Sequence, residues 1–167
     1  MLIIKDKIPM LKIGYPTVSD KYDVAGAVLD GSSPVAFGDL VMFSSTQGYF
    51  KKAASMSAIT DAAGFVVATN VKLAEGFPGT TVQVNPGEAF NLLVKGFIAV
   101  ELDDSADDDY ATANSAVYVI LSTGKLTTSD QASAGTVVAL PNCVFTGTIE
   151  NQGTVASPKY VAEIYIK

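Results

Sequence analysis

The sequence predicts an all-β fold, a single small β-barrel or β-sandwich of about eight to nine strands with an extended N-terminal arm. Two observations support this fold class. From residue 35 onward, short apolar runs are separated by turns rich in Gly, Pro, Asn and Ser. No segment favours a helix, because none holds an apolar period of 3.6 residues. Many short strands without helices are typical of a barrel or a sandwich.

The longest strand is predicted within residues 87–102, G-E-A-F-N-L-L-V-K-G-F-I-A-V-E-L. From Phe90 every second residue is apolar, whereas Asn91 and Lys95 fall on the other face, and this alternation predicts a strand with one buried side. The pattern keeps its phase across Gly96, which indicates a bend within one strand. We expect Asn91 and Lys95 to be exposed. The side chains expected to be buried together are those of Phe90, Leu92, Val94, Ile98 and Val100.

The other strands follow from the same alternation and from the turns that bound them. Apolar or alternating runs lie at 35–43, 49–50, 65–71, 80–84, 117–121, 126–128, 137–140, 143–149 and 160–166. The segments between them hold turn residues, such as N-P-G before the longest strand and S-T-G-K after residue 121. Residues 51–63 and 129–136 are small and polar without a reliable period, so we predict loops there, with at most one short helical turn in 51–63.

Residues 1–33 differ from the barrel domain predicted at 34–167. Pro9, Gly14 and Pro16 interrupt every apolar run in this leader, yet the leader is too apolar for a solvated tail. It either packs on its own barrel or binds a partner, and the sequence leaves both open. We expect a protein that starts near Ser32 to keep its fold. The candidate partner-binding residues are Ile8, Leu11, Ile13, Tyr15 and Val18.

Composition argues against several functional classes. The net charge is −6, and all eleven basic residues are lysines, since the chain has no arginine or histidine. Arginine is the preferred reader of phosphates and base edges, and histidine is the usual proton shuttle, so we expect neither nucleic-acid binding nor histidine-based catalysis. No apolar run approaches the ~20 residues of a membrane span, and no signal peptide is predicted. Cys143 lies in a strand-like run and is expected to be a core residue.

An acidic run at 101–109 is the strongest candidate for a metal site. Its alternate residues imitate the ligand spacing of a calcium loop, but Asp108 stands where an EF-hand needs glycine and Asn114 where it needs a bidentate glutamate. We therefore expect a solvated acidic loop and no metal site. The residues at the imitated positions are Asp103, Ser105, Asp107 and Asp109.

Two lysines could suggest catalysis and are better explained structurally. Ser122 and Lys125 have the spacing of a serine–lysine dyad, but they lie in a predicted turn without the companion motifs. Lys95 falls on the polar face of the longest strand, where it stays solvated. We predict no catalytic residues and no cofactor, so the chain is not expected to be an enzyme.

The order of motifs from residue 35 onward resembles the phage capsid cement, or head-decoration, proteins. The matching stretches are A-F-G-D-L-V early in the barrel, D-A-A-G-F-V-V at 61–67 and P-G-E-A-F-N-L-L-V-K-G-F-I-A-V at 86–100. Two further stretches are S-A-V-Y-V-I-L-S-T-G-K-L-T at 115–127 and V-A-E-I-Y-I at 161–166. Together they extend over about four-fifths of the chain, and their order after the leader carries the resemblance.

The resemblance implies a structural virion protein that binds the outside of an assembled head and stabilises it. It further implies the major capsid protein as partner, a homo-oligomer with a trimer favoured, and a place on the outer surface of the capsid. No catalytic residue is implied. The alternative is a phage head-fibre, tail or receptor-binding module, including a carbohydrate-binding one.

Overall fold

The computed structural model describes residues 11–17, 22–68, 83–128 and 135–167. It is an all-β protein, as predicted, with two single-turn 3-10 helices, Ile59–Asp61 and Asp108–Tyr110. The eleven strands in the described residues exceed the predicted eight to nine because three of them have two residues each. They are β1 (Asp23–Leu29), β2 (Val35–Ala36), β3 (Leu40–Phe43), β4 (Tyr49–Lys52), β5 (Ala62–Val67), β6 (Gln83–Val84), β7 (Ala89–Glu101), β8 (Ala116–Ile120), β9 (Leu126–Thr127), β10 (Val137–Asn151) and β11 (Tyr160–Ile166).

Five strands form a closed barrel in the order β1-β4-β3-β5-β7, and pairing of β7 back to β1 completes the ring. The β1–β4 pair is parallel and the other pairs are antiparallel. Because β1 contributes Ala27 and Leu29 to the apolar interior, this part of the predicted arm is a barrel strand. The sequence did not reveal it, since D-V-A-G-A-V-L is short and its small residues give a weak alternation.

The second half of β7 leaves the barrel and joins a second sheet, in the order β7-β11-β10-β8-β9. A bridge between Leu102 and Leu126 brings the far edge of this sheet back towards the end of β7. The long strand is therefore shared by both halves of the protein, as expected for a strand of 13 residues.

Two main apolar clusters fill the protein. One fills the barrel and includes Phe90, Leu92 and Val66. The larger one lies between the outer wall of the barrel and the second sheet, and includes Phe65 and Phe145. Strand β5 is consequently buried on both faces, which explains the uninterrupted run F-V-V in its sequence.

The prediction for β7 is correct only in part. Phe90 and Leu92 belong to the barrel cluster, whereas Ile98 and Val100 belong to the second cluster, so these side chains are not buried together and the predicted phase does not continue across Gly96. Phe90, Leu92, Ile98 and Val100 are buried and Asn91 and Lys95 are exposed, as expected, but Val94 is 42% exposed. The residue buried in its place is Leu93, which is fully covered by the second sheet. The phase changes because Gly96 has a φ of 125° and the β1 pairing shifts by one residue near Lys95.

Some predicted features fall outside the described residues. These are residues 69–71 of the run at 65–71, residues 80–82 of the run at 80–84, and residues 129–134 of the loop at 129–136. Within the described residues, no helix has the length and apolar character needed to cross a membrane.

Candidate functional site

Residues 11–17 of the leader lie along the edge of the second half of β7. The Gly14 amide donates to the Ala99 carbonyl at 2.8 Å, and the Thr17 amide donates to the Phe97 carbonyl at 3.3 Å. The leader therefore runs antiparallel to β7 from its far end towards β1, which continues the same antiparallel course along the barrel half of β7.

The apolar side chains of this segment are packed on the protein's own sheet. Leu11 is buried in a small cluster with Ala99 and Val161, and Ile13 packs against the same cluster. Ala99 and Val161 lie on the face of β7 and β11 that points away from the main core. Leu11 and Ile13 therefore give this face of the sheet an apolar cover.

Leu11 is also tied to the hairpin formed by β10 and β11. Its amide donates to Glu150 Oε2 at 3.1 Å, and Gln152 Nε2 donates to its carbonyl at 2.7 Å. These two hydrogen bonds hold Leu11 against the β10–β11 hairpin.

Gly14 allows the leader to approach the barrel this closely. Its φ is +78°, and a Cβ on Gly14 would lie 2.3 Å from the Cβ of Phe37. Its carbonyl accepts a hydrogen bond of 2.8 Å from the Ala68 amide, so both the amide and the carbonyl of Gly14 are hydrogen-bonded. A side chain at this position would push the leader away from the barrel.

The structure brings three of the five candidate partner-binding residues together. Leu11 and Ile13 pack as described, and Tyr15 is half-buried, with the Lys12 ammonium 5.8 Å from its ring centre. Ile8 and Val18 lie outside the described residues.

A cleft of about 470 Å³ opens beside the leader, between the barrel and the second sheet. The leader forms one wall with Ile13 and Tyr15, and Phe37, Leu40 and Leu102 contribute apolar surface. Sequence reasoning missed this cleft, because its residues come from distant segments that share no local pattern. Its charged lining residues are Asp39, Lys52, Glu101, Lys125 and Lys159.

Each lysine of the cleft has a carboxylate neighbour. Lys159 Nζ lies 2.9 Å from Glu101 Oε2, and Lys52 Nζ lies 3.8 Å from Asp39 Oδ2. Lys125 Nζ lies 3.6 Å from Asp103 Oδ2. All three lysines are about half exposed, so each pair contributes roughly 0–1 kcal/mol. The three lysine charges of the cleft are therefore compensated.

The pKa of the Asp39 carboxyl is shifted by its surroundings. Burial raises its pKa, while the Ala36 amide, which donates to Oδ2 at 2.9 Å, and the Lys52 ammonium oppose that rise. Burial likewise raises the pKa of the Cys143 thiol to about 12, which keeps it protonated at neutral pH. Cys143 is a core residue, as expected.

The acidic run forms an exposed corner next to the second sheet. The carboxylates of Asp107, Asp108 and Asp109 lie within 4.8 Å of one another, and all three residues are exposed. The Asp107 side chain accepts from the Asp109 amide at 3.1 Å, and Asp103 accepts from the Ser105 amide at 3.1 Å. These bonds stabilise turns, which is what a solvated acidic loop requires.

The two lysines considered for catalysis occupy structural positions. Lys125 pairs with Asp103, and Ser122 is exposed in the turn between β8 and β9. Gly124 in that turn packs so tightly that a Cβ there would lie 1.6 Å from the Ala53 carbonyl oxygen. Lys95 is exposed on the polar side of β7, as predicted.

Comparison with known proteins adds two findings. A family model described as "Structural cement protein (E217 gp24/Pam3 gp6)" matches residues 14–167. A chain from "The capsid of Myoviridae Phage XM1" shares the fold, with a TM-score of 0.65 and 18% sequence identity, over 96% of this chain and 94% of that chain. Among curated proteins, none matches the chain.

Proposed function

The chain belongs to the structural cement protein family, and from this premise we propose that it binds the outer surface of an assembled phage head. The family match over residues 14–167 is the observation that carries the proposal. A cement protein is a structural component of a virion, and its family implies a non-enzymatic role. The alternative of a head-fibre, tail or receptor-binding module is not favoured by this match.

Stabilisation of the shell follows from mass action. A ligand that binds the assembled shell, and not its separated subunits, favours the shell by RT ln(1 + [L]/Kd) per site, which is about 2.7 kcal/mol at a free concentration of 100 Kd. A protein with a net charge of −6 and no arginine is suited to contacts with other proteins rather than with the packaged nucleic acid.

The partners in this proposal are the major capsid protein and sister subunits, with a trimer favoured. The leader supplies the attachment. Leu11 and Ile13 hold its base on the second sheet, Tyr15 is half-buried beside them, and the residues before Leu11 extend the contact to the partner. Each Ile or Leu that becomes fully buried there contributes roughly 1.5–3 kcal/mol before ordering losses. Val18, which follows the anchored segment, belongs to the same proposed surface.

Co-sedimentation with undecorated heads tests this attachment. A protein that starts at Leu11 keeps the anchored segment and β1, so we expect it to fold and to lose most of its affinity for heads. Ile8→Asp in the full chain should weaken binding in the same way. Val155→Asp is the matched control, because it replaces an apolar β-branched side chain by the same charge at a fully exposed position outside the leader. Full-strength binding by the shortened protein would place the attachment surface on the barrel.

A further inference from the structure

Strand β1 has one edge that is only partly used. It pairs with β7 through Asp23–Val28, but it pairs with β4 only through Val28 and Leu29. Within the described part of the chain, residues 23–27 have no partner strand on the β4 side.

The direction of the backbone groups along β1 follows from two hydrogen bonds at its end. The Leu29 amide donates to Glu88 on the β7 side, and the Asp30 amide donates to Phe50 on the β4 side. Because backbone groups alternate in direction along a strand, the amides and carbonyls of Val24 and Gly26 point away from β7. No strand among the described residues pairs with these groups.

The surface around this edge is apolar and open. Tyr22, Val24 and Val94 are 40%, 43% and 42% exposed, and the first four residues of β1 are all exposed. A Cβ on Gly26 would meet nothing within 4 Å, so the face of the sheet beside this edge is uncovered at Gly26. An open edge flanked by exposed apolar side chains, without lysine or proline in the strand, is suited to strand addition.

Residues 2–8 have the sequence pattern of a strand that would fit this edge. Leu2, Ile4 and Ile8 fall on one side together with Asp6, and Lys5 and Lys7 fall on the other together with Ile3. The segment has seven residues, as β1 does, and a proline follows it, which stops further pairing. Its two lysines and one aspartate leave it with a positive charge that an acidic barrel attracts.

Residues 2–8 cannot pair along their whole length with the β1 edge of their own chain. Leu11 is held beside Val161, which pairs with Glu101, whereas Asp23 pairs with Lys95. The six steps of β7 from residue 95 to residue 101 span about 20 Å. Three Cα–Cα steps connect Ile8 to Leu11, and they span at most about 11 Å.

We propose that the open edge of β1 accepts residues 2–8 of a neighbouring subunit as an added strand. The contact joins two different surfaces, so repetition around an axis closes a ring such as a trimer. It specifies the sister-subunit contact of the proposed function, but it applies to the protein alone and does not require a capsid.

Cross-linking between two single-cysteine variants tests the proposal without capsids. Ile4→Cys and Val24→Cys are carried on separate, differently tagged full chains, which are co-expressed and treated with a short bismaleimide. Cys143 is buried, with its pKa raised to about 12, and stays unreactive. Val155→Cys replaces Val24→Cys in the control, because Val155 is fully exposed on the hairpin between β10 and β11.

We expect a much higher yield of cross-linked pairs from Ile4→Cys with Val24→Cys than from Ile4→Cys with Val155→Cys. Val24→Lys in an otherwise unchanged chain should lower the oligomer fraction in sedimentation, whereas Val155→Lys should not. Equal cross-linking with both cysteine partners would overturn the proposal. A cross-link that forms only within one chain carrying both Ile4→Cys and Val24→Cys would also overturn it. Because capsids are absent, neither result bears on head binding.

Discussion

The Gly14 amide donates a hydrogen bond of 2.8 Å to the carbonyl of Ala99, and this bond joins the leader to the middle of the outer half of β7. The same strand lines the barrel with Phe90 and Leu92 and supports the second sheet with Ile98. The leader base is therefore fixed to the strand that connects both halves of the protein. A partner bound by the leader is therefore connected through β7 to both sheets.

Gly14→Ala should destabilise the protein more than Gly48→Ala. Both glycines have φ near +80°, so each substitution costs about 1–2 kcal/mol for the left-handed backbone. Only the substitution at Gly14 adds a clash with Phe37, which lowers the free energy of unfolding by about a further 1–3 kcal/mol. Chemical denaturation measures the difference, and equal losses would show that the leader does not press on Phe37.

Leu93→Ala and Val94→Ala should differ strongly although the residues are neighbours. Leu93 is fully buried between barrel and second sheet, so its truncation should cost about 2–5 kcal/mol. Val94 is 42% exposed, and its truncation should stay within about 1 kcal/mol. Urea unfolding curves compare the two variants. A larger loss of stability for Val94→Ala would support the simple alternation along β7, in which Val94 is the buried residue.

This pair also shows what the sequence could and could not predict. The extent of β7 and its bend at Gly96 depend on the local sequence. The alternation of apolar residues and the turn before the strand predicted both. The burial of Leu93 depends on a second layer packed from outside, which no alternation within β7 records. The cleft was missed for the same reason, since Asp39 and Lys159 come to line one cleft only after both sheets are formed.

Asp39→Asn should change how stability depends on pH. The folded-state pKa of Asp39 is raised, first by burial, so the folded protein holds this proton more tightly than the unfolded chain. The wild type therefore loses stability as pH rises through that pKa, and the Asn variant lacks this loss. The melting temperature of the variant relative to wild type should rise between acidic and neutral pH, as scanning calorimetry would measure. A constant difference would mean that Asp39 titrates normally.

Two truncations should separate the leader from the barrel. Starting at Leu11 keeps β1 and should preserve a cooperative melt. Starting at Ser32 removes β1 and with it Ala27 and Leu29 from the barrel interior, so we now expect unfolding or aggregation. Circular dichroism with thermal melting distinguishes the outcomes, and a cooperative melt from the shorter protein would show that the ring closes without β1.

The central claim is that this chain is a cement protein that stabilises an assembled head. The most direct measurement is the disassembly temperature of undecorated heads, followed by light scattering or particle counting, with and without saturating protein. We predict a higher disassembly temperature that rises with protein concentration, with no binding to unassembled capsid protein. An unchanged disassembly temperature with heads fully occupied, or equal affinity for unassembled capsid protein, would contradict the account.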